Sequence, residues 1–166
     1  MKRESFHEQG VRLIKYYMTT LNLTQRDLAK KVGVRDEQIS KILHGKNKLS
    51  ADMLEKIATA IDRKVILVKD YYVYDDEPNE ERDSAFTYEE NLFPTLELRF
   101  KSALTRYHAF IYPFITENAE KMGIHRKTYS KIIKNQSVRM DDHLCSAILK
   151  FLNLRIDIIR EDDNNE

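Results

Sequence analysis

Two stretches of this chain share one pattern, and the repetition limits what the chain can fold into. The earlier, "VGVRDEQISKILH", occupies residues 32–44, and the later, "MGIHRKTYSKIIK", occupies residues 122–134. In each, an apolar residue and a glycine precede another apolar residue, a mostly polar run and then Ser-Lys-Ile. Apolar residues spaced three or four apart predict a helix after the glycine. The glycine itself predicts a tight turn at the start of that helix.

The residues around the earlier stretch predict three more helices. Ser5-Phe-His-Glu8 is a capping-box signature, and Thr24 and Ser50 are residues that favour helix N-caps. The four predicted helices cover residues 5–20, 24–31 and 36–44, with the last beginning after Ser50.

The later stretch lies in a similar series of elements. Pro94 and Thr95 open a helical pattern that Pro113 should end. Helices are then predicted at about 114–122, 126–134 and 141–152. Each series is followed by a segment typical of a strand, at 64–74 and at 154–161.

The strands raise the question of pairing, because each follows a helical domain that offers no other strand. An unpaired apolar edge invites association. We therefore expect the two strands to pair either with each other or across a homodimer.

Charge is distributed in blocks, although the whole chain carries a net charge of only +1. Residues 1–70 carry +6, residues 71–98 carry −8, residues 99–159 carry +6, and residues 160–166 carry −3. One interpretation is ordinary surface charge with a solvated linker. The other is two basic modules that each meet a polyanion.

The composition narrows the class of protein. Only four glycines and three prolines favour long helices over a turn-rich β fold. The one cysteine, Cys145, cannot form an internal disulfide and lies in an apolar run, so we expect a packed thiol. No apolar run approaches the roughly 20 residues of a membrane span, and the N-terminus has no secretory pattern. We therefore expect a cytoplasmic protein with no membrane partner.

The two halves align at an offset of 90 residues. The aligned identities include Tyr17/Tyr107, Ala29/Ala119, Gly33/Gly123, Ser40/Ser130 and Lys41/Lys131. Because element order matches as well, we interpret the second half as a degenerate copy of the first, that is, a tandem repeat.

The segment "TQRDLAKKVGVRDEQISKILHGKNKLS", residues 24–50, resembles the lambda-repressor-like (Xre-type) DNA-binding domains. The pattern of that family is met by Gln25, Leu28-Ala29, Gly33-Val34, Ile39-Ser40 and Gly45. The resemblance covers roughly residues 5–67.

Over residues 93–159 the resemblance is weaker. Asn118 stands where the first half has Leu28, Ile115 where it has Gln25, and Asn135 where it has Gly45.

The resemblance implies a mainly α fold with two lambda-repressor-like helix-turn-helix domains, each followed by a short β-strand. The predicted organisation is a first domain at 1–74, an acidic linker at 75–92, a second domain at 93–160 and an acidic tail at 161–166.

The resemblance also implies a binding site for double-stranded DNA. The third helix would enter the major groove, and Gln25 would bond a phosphate at a helix N-terminus. The candidate DNA-binding residues of the first copy are Gln25, Arg35, Asp36, Glu37, Ser40, Lys41, Lys46 and Lys48. Those of the second copy are His125, Arg126, Lys127, Lys131 and Lys134.

The front of the first reading helix is acidic, at Asp36 and Glu37, whereas such proteins commonly carry neutral polar residues there. Carboxylates accept hydrogen bonds from cytosine amino groups, so one interpretation is a selective reader. The other is that the carboxylates only complement the N-terminus of their own helix. The basic front of the second copy favours DNA in any register, or else it is a solvated helix face.

The sequence therefore predicts a sequence-specific transcription regulator of the repressor type. The alternative is an antitoxin-like or other protein-interaction module, in which only the N-terminal domain binds DNA and the rest binds a protein partner. No catalytic constellation, phosphate loop or metal-ligand spacing is present, so we expect neither an enzyme nor a cofactor nor a metal.

Overall fold

The structure is a computed structural model that describes residues 2–72, 74–75 and 86–161. We call residues 2–72 the first half and residues 86–161 the second half. The elements are α1 (Phe6–Thr20), α2 (Gln25–Val32), α3 (Asp36–Leu43), α4 (Ala51–Ala60), β1 (Arg63–Lys69), a 3₁₀ helix (Tyr88–Leu92), α5 (Leu96–Phe110), α6 (Ile115–Met122), α7 (Arg126–Ile133), α8 (Asp142–Leu152) and β2 (Leu154–Arg160).

The mainly α fold class predicted from the sequence is confirmed. Most helices begin where a side chain can accept a hydrogen bond from the first turn. Ser5, Thr24, Ser50, Thr95 and Asp141 each accept from the backbone N–H three residues later. Such caps satisfy N–H groups that have no partner inside the helix, which is why these boundaries could be predicted locally.

Two elements differ from the sequence prediction. The strand predicted at 64–74 ends at Lys69. In addition, residues 88–92, inside the range predicted as linker, form the 3₁₀ helix, with Glu90 and Asn91 buried. Most of the predicted linker and of the acidic tail, residues 76–85 and 162–166, lies outside the described residues.

The two strands pair with each other in an antiparallel sheet. Arg63 lies opposite Arg160 at one end, and Lys69 lies opposite Leu154 at the other. The sequence left two pairings open, one between the strands of a single chain and one across a homodimer. The structure has the pairing within a single chain.

Side chains from the second half bind the outer edge of β1. Asn91 accepts from the Leu67 N–H and donates to the Leu67 carbonyl, at 2.8 Å each. Arg99 donates to the carbonyl of Val65 at 3.0 Å. The backbone of residues 65 and 67 therefore points away from β2, as alternate residues of an antiparallel strand do.

The outer edge of β2 is bound by side chains of the first half. The Ile156 N–H donates to Gln9 Oε1 at 3.0 Å, and the Tyr17 hydroxyl donates to the carbonyl of Ile158 at 2.7 Å. Because side chains occupy both outer edges, the strand-edge pairing on which the expected homodimer depended is taken up inside the chain.

Helices of one half pack on elements of the other, and the buried apolar residues form one continuous cluster. α1 packs on α8 and β2, whereas α5 packs on α4 and β1. Phe6 of α1 and Phe100 of α5 meet edge to face, with ring centroids 5.8 Å apart.

One close approach within the first half favours a glycine. A Cβ atom at Gly10 would lie 2.6 Å from a Leu49 methyl group. The neighbouring His7 is buried, and its Nδ1 accepts from the Leu49 N–H at 3.0 Å. α1 is thereby fixed against the loop that follows α3.

None of the described helices combines the length and apolar character needed to cross a membrane.

The pairing of β1 with β2 predicts a specific effect of proline at Val68. Val68 lies opposite Arg155, and the alternation of the strand directs its N–H towards β2. Val68→Pro removes that N–H, and we expect the free energy of unfolding to fall by about 1–3 kcal/mol. Urea denaturation would measure the loss. Val68→Ala keeps the N–H and is the control; equal losses in the two variants would contradict this account.

Candidate nucleic-acid interface

α2, a tight turn and α3 form a helix-turn-helix in the first half. Thr24 and Asp27 make a reciprocal capping box at the start of α2. Gly33 ends α2 with a φ of 84°, a conformation that residues with a Cβ adopt only with strain. Leu28 and Ile39 are buried between the two helices. This clamp leaves the N-terminal turn of α3 exposed to solvent.

The acidic residues at the front of α3 form ion pairs with nearby cations. Asp36 lies 3.5 Å from Arg26, and Glu37 lies 3.1 Å from Lys41 one turn further along the helix. All four side chains are largely exposed, so each pair contributes little to stability. The pairs do, however, offset the negative charge that would otherwise face a phosphate backbone.

The other candidate residues of the first half surround this front. Arg35 is the exposed residue that precedes α3, and Gln25 begins α2 and is half-buried. Ser40 Oγ lies 3.3 Å from Nδ1 of His44. Lys46 and Lys48 are exposed in the loop before α4. Arg26 was missed in the sequence analysis, although its place one residue after Gln25 could have indicated it.

In the second half, α6, a turn and α7 follow one another in the same order as α2, the turn and α3. Gly123 ends α6 with a φ of 69°, and Asn135 follows α7 with a φ of 52°. At the aligned position of the first half, Gly45 has a φ of 77°. Asn135 can replace that glycine because asparagine tolerates the left-handed region better than most residues.

The front of α7 is basic. Nδ1 of His125 accepts from the Lys127 N–H at 3.1 Å and caps the helix. The exposed cations on and just after this helix are Arg126, Lys127, Lys131 and Lys134. Within the described part of the chain none of these four forms an ion pair, in contrast to the residues at the front of α3.

A polar cluster replaces part of the apolar clamp in the second half. Nδ2 of the buried Asn118 donates to the Tyr129 hydroxyl at 2.9 Å, and that hydroxyl lies 3.0 Å from Nδ1 of His108. Burial raises the pKa of Tyr129 to about 12, so the phenol stays protonated and can donate to a neutral His108. These bonds attach α7 to α5 and α6.

The start of α6 differs most from its counterpart. Phe114 stands where Thr24 caps α2, and it makes no side-chain cap. Ile115 stands where the first half has Gln25. The two positions at the start of α2, Thr24 and Gln25, are polar, whereas their counterparts at the start of α6 are apolar.

The loops that follow α3 and α7 lie side by side. The Ala51 N–H donates to the carbonyl of Met140 at 2.9 Å. Lys46, Lys48 and Arg139 line one cleft at this junction, which brings basic side chains of both halves together. The proximity of Arg139 to Lys46 and Lys48 depends on the tertiary fold. No group of three metal-ligating side chains comes together in the part of the chain that the structure describes.

Comparison with known proteins agrees with the first unit. A helix-turn-helix family model matches residues 14–66. An uncharacterized HTH-type transcriptional regulator of Methanocaldococcus jannaschii is 41% identical over 64 residues, which make up 92% of that protein and 39% of this chain. One of Archaeoglobus fulgidus is 38% identical over 64 residues, 86% of that protein and 39% of this chain. No solved structure matches the chain.

The chain therefore belongs to the lambda-repressor-like (Xre-type) helix-turn-helix family. The matched family model covers α2, α3 and α4 and parts of the elements on either side of them.

Two histidines, the buried His7 and the half-buried His108, predict a loss of stability in acid. Burial lowers the pKa of His7 and of His108 from the usual 6.5. Below pH 6.5 the unfolded chain consequently binds more protons than the folded chain. The free energy of unfolding should be greatest above that pH and fall as the pH decreases towards the lowered pKa values. Urea denaturation at about pH 7.5 and about pH 5 would measure the difference.

His108→Met separates the two contributions, since Met18 occupies the aligned position of the first half. This variant should lose less stability than the parent chain over the same pH interval. An unchanged pH dependence would show that His108 does not contribute.

Proposed function

We propose that this protein is a sequence-specific DNA-binding transcription regulator that acts as a repressor. The observation that carries the proposal is the helix-turn-helix of the first half, with its exposed α3 front. Support also comes from the two relatives, which are named as HTH-type transcriptional regulators. Repression follows when the bound site overlaps a promoter, because the bound protein then blocks polymerase.

In this proposal α3 lies in the major groove. Arg35, Asp36 and Glu37 face base edges, with Ser40 and Lys41 beside them. Gln25 donates to a phosphate at the N-terminus of α2, where the helix dipole favours an anion. Lys46 and Lys48 contact the backbone from the following loop.

The second half acts as an electrostatic anchor. His125, Arg126 and Lys127 form a basic front that makes no ion pair with the described acidic residues, and Lys131 and Lys134 extend it. Since α3 and α7 differ in sequence, the preferred DNA site is asymmetric. In dimers of this class, the two helices that enter the major groove lie about 34 Å apart, which is the length of one turn of DNA.

The first test is the salt dependence of binding. The purified chain should bind duplex DNA from its own genome, with affinity that falls steeply as salt increases. If about five phosphates are contacted, a log–log plot of the association constant against salt concentration should have a slope of about −4 to −5. Fluorescence anisotropy would measure it. Binding that ignores salt, or no binding to genomic fragments, would contradict the proposal.

The second test assigns roles to α3 and α7. Glu37→Gln should change which sequences are selected from a randomised DNA library, by about 1–3 kcal/mol at one base position. Arg126→Ala with Lys127→Ala should instead weaken binding to all sequences about equally. It should also reduce the salt slope by about one unit per lost phosphate contact.

Lys150→Ala is the control for charge, because it removes an exposed lysine of α8, outside both helix-turn-helix units. If the double variant of α7 binds as tightly as the parent chain, the second half is not a DNA anchor.

A specific observation favours the second candidate function, in which the second half binds a protein partner in the manner of an antitoxin. Phe114 and Ile115 replace the cap and the phosphate contact of the first half. In that case deletion of the α7 charges leaves DNA binding intact, and the first half alone reads DNA.

A further inference from the structure

A large apolar surface lies on the outer side of the second half. Its most exposed members are Leu92, with 69% of its surface exposed, and Phe110, with 74%. The other members are Phe93, Ile111, Tyr112 and Phe114. We call these six residues the C-terminal apolar surface. Contiguous exposed apolar residues on a monomer commonly mark a site of interaction.

Part of this surface borders a groove of about 610 Å³ between the 3₁₀ helix, α5 and α7. Its lining includes Leu98, Ile132 and Ile133, together with Leu92 and Phe110 of the apolar surface. The groove is therefore an apolar hollow directly beside two exposed apolar side chains.

Two of these apolar positions are polar in the first half. At the offset of 90 residues, Phe110 stands where α1 has Thr20, and Leu98 stands where it has Glu8. Both residues of α1 are exposed, as are Arg12 and Lys15 on the same helix. A helix in this position thus does not need an apolar outer face for packing inside the chain, so the apolar character of α5 requires another explanation.

The shape of the surface favours a macromolecular occupant. A small molecule in the groove would leave Ile111 and Phe114, which lie outside its lining, in contact with water. Duplex DNA is a poor occupant, because an apolar ridge offers nothing to phosphates.

The charges at the rim favour a self-complementary contact. Arg106 lies over the Phe110 ring, 5.6 Å from its centroid, and donates a hydrogen bond of 3.4 Å to Glu90. Its Nε is buried, but 37% of the side chain is exposed, so its terminal N–H groups can meet a second carboxylate. Glu89, on the same rim, is exposed. In a two-fold symmetric contact the same patch faces itself, so one patch must carry both partners of each interaction. Arg106 and Glu89 supply a basic and an acidic partner on one rim.

We propose that a second copy of this chain docks on the C-terminal apolar surface. Phe110 of each copy enters the groove of the other, and Arg106 of each copy meets Glu89 across the contact. The resulting homodimer does not use β1 or β2. It also places two copies of α3 in one particle, whether or not α7 contacts DNA.

Sedimentation velocity of the full chain, without DNA, tests this proposal. Between about 1 and about 200 μM, the range in which weak interfaces dissociate, we expect a concentration-dependent shift from monomer to dimer. Phe110→Asp should raise the dissociation constant at least about tenfold, because it places a charge at a central apolar contact. Leu92→Asp should act in the same direction.

Tyr16→Asp is the matched control, since Tyr16 is an aromatic residue of α1 with 61% of its surface exposed, and it should leave the dimer unchanged. Circular dichroism of each variant checks that it is folded. A chain that stays monomeric throughout the range would overturn the proposal, and the surface would then serve a different molecule. A dimer that persists in both folded variants at residues 92 and 110 would equally overturn it. Neither result depends on DNA binding.

Discussion

The antiparallel pairing of β1 with β2 is the contact on which the arrangement of the two halves depends. A sheet of two strands is marginal by itself in water. Here Asn91 and Arg99 bind the outer edge of β1, while Gln9 and Tyr17 bind that of β2. Each strand is thus held by side chains from the opposite half. Disruption of the ladder would expose backbone groups and apolar surface of both halves together, so the halves stabilise each other.

The sheet joins the helix-turn-helix of the first half to the unit of α6, turn and α7 in the second half, but the two differ in character. In the first, an apolar clamp supports a front whose carboxylates are paired with cations. In the second, Asn118, Tyr129 and His108 replace part of that clamp, the front is basic, and the flank is apolar. The two units differ most at their exposed side chains, because burial constrains the packed side chains and leaves the exposed ones free to differ.

Much of the fold could be predicted from local features. The caps at Ser5, Thr24 and Ser50 and the turn at Gly33 depend on hydrogen bonds and dihedral angles within a few residues, and the helix boundaries agree to within one or two residues. The 3₁₀ helix at 88–92 was missed because its burial depends on a long-range bond between Asn91 and β1. Composition alone made the segment resemble the acidic run before it.

By itself, the sequence determined the helices, the turns, the family of the first half and the polar residues at the front of α3. All of these follow from periodicity, capping and motif spacing, which are properties of neighbouring residues. Only the tertiary structure decided that the strands pair inside one chain and that the loops after α3 and α7 meet. It alone brought the 3₁₀ helix, α5 and α7 together to form an apolar groove. Such contacts join residues far apart in the chain, and they are selected by the fit of whole faces, which no local pattern specifies.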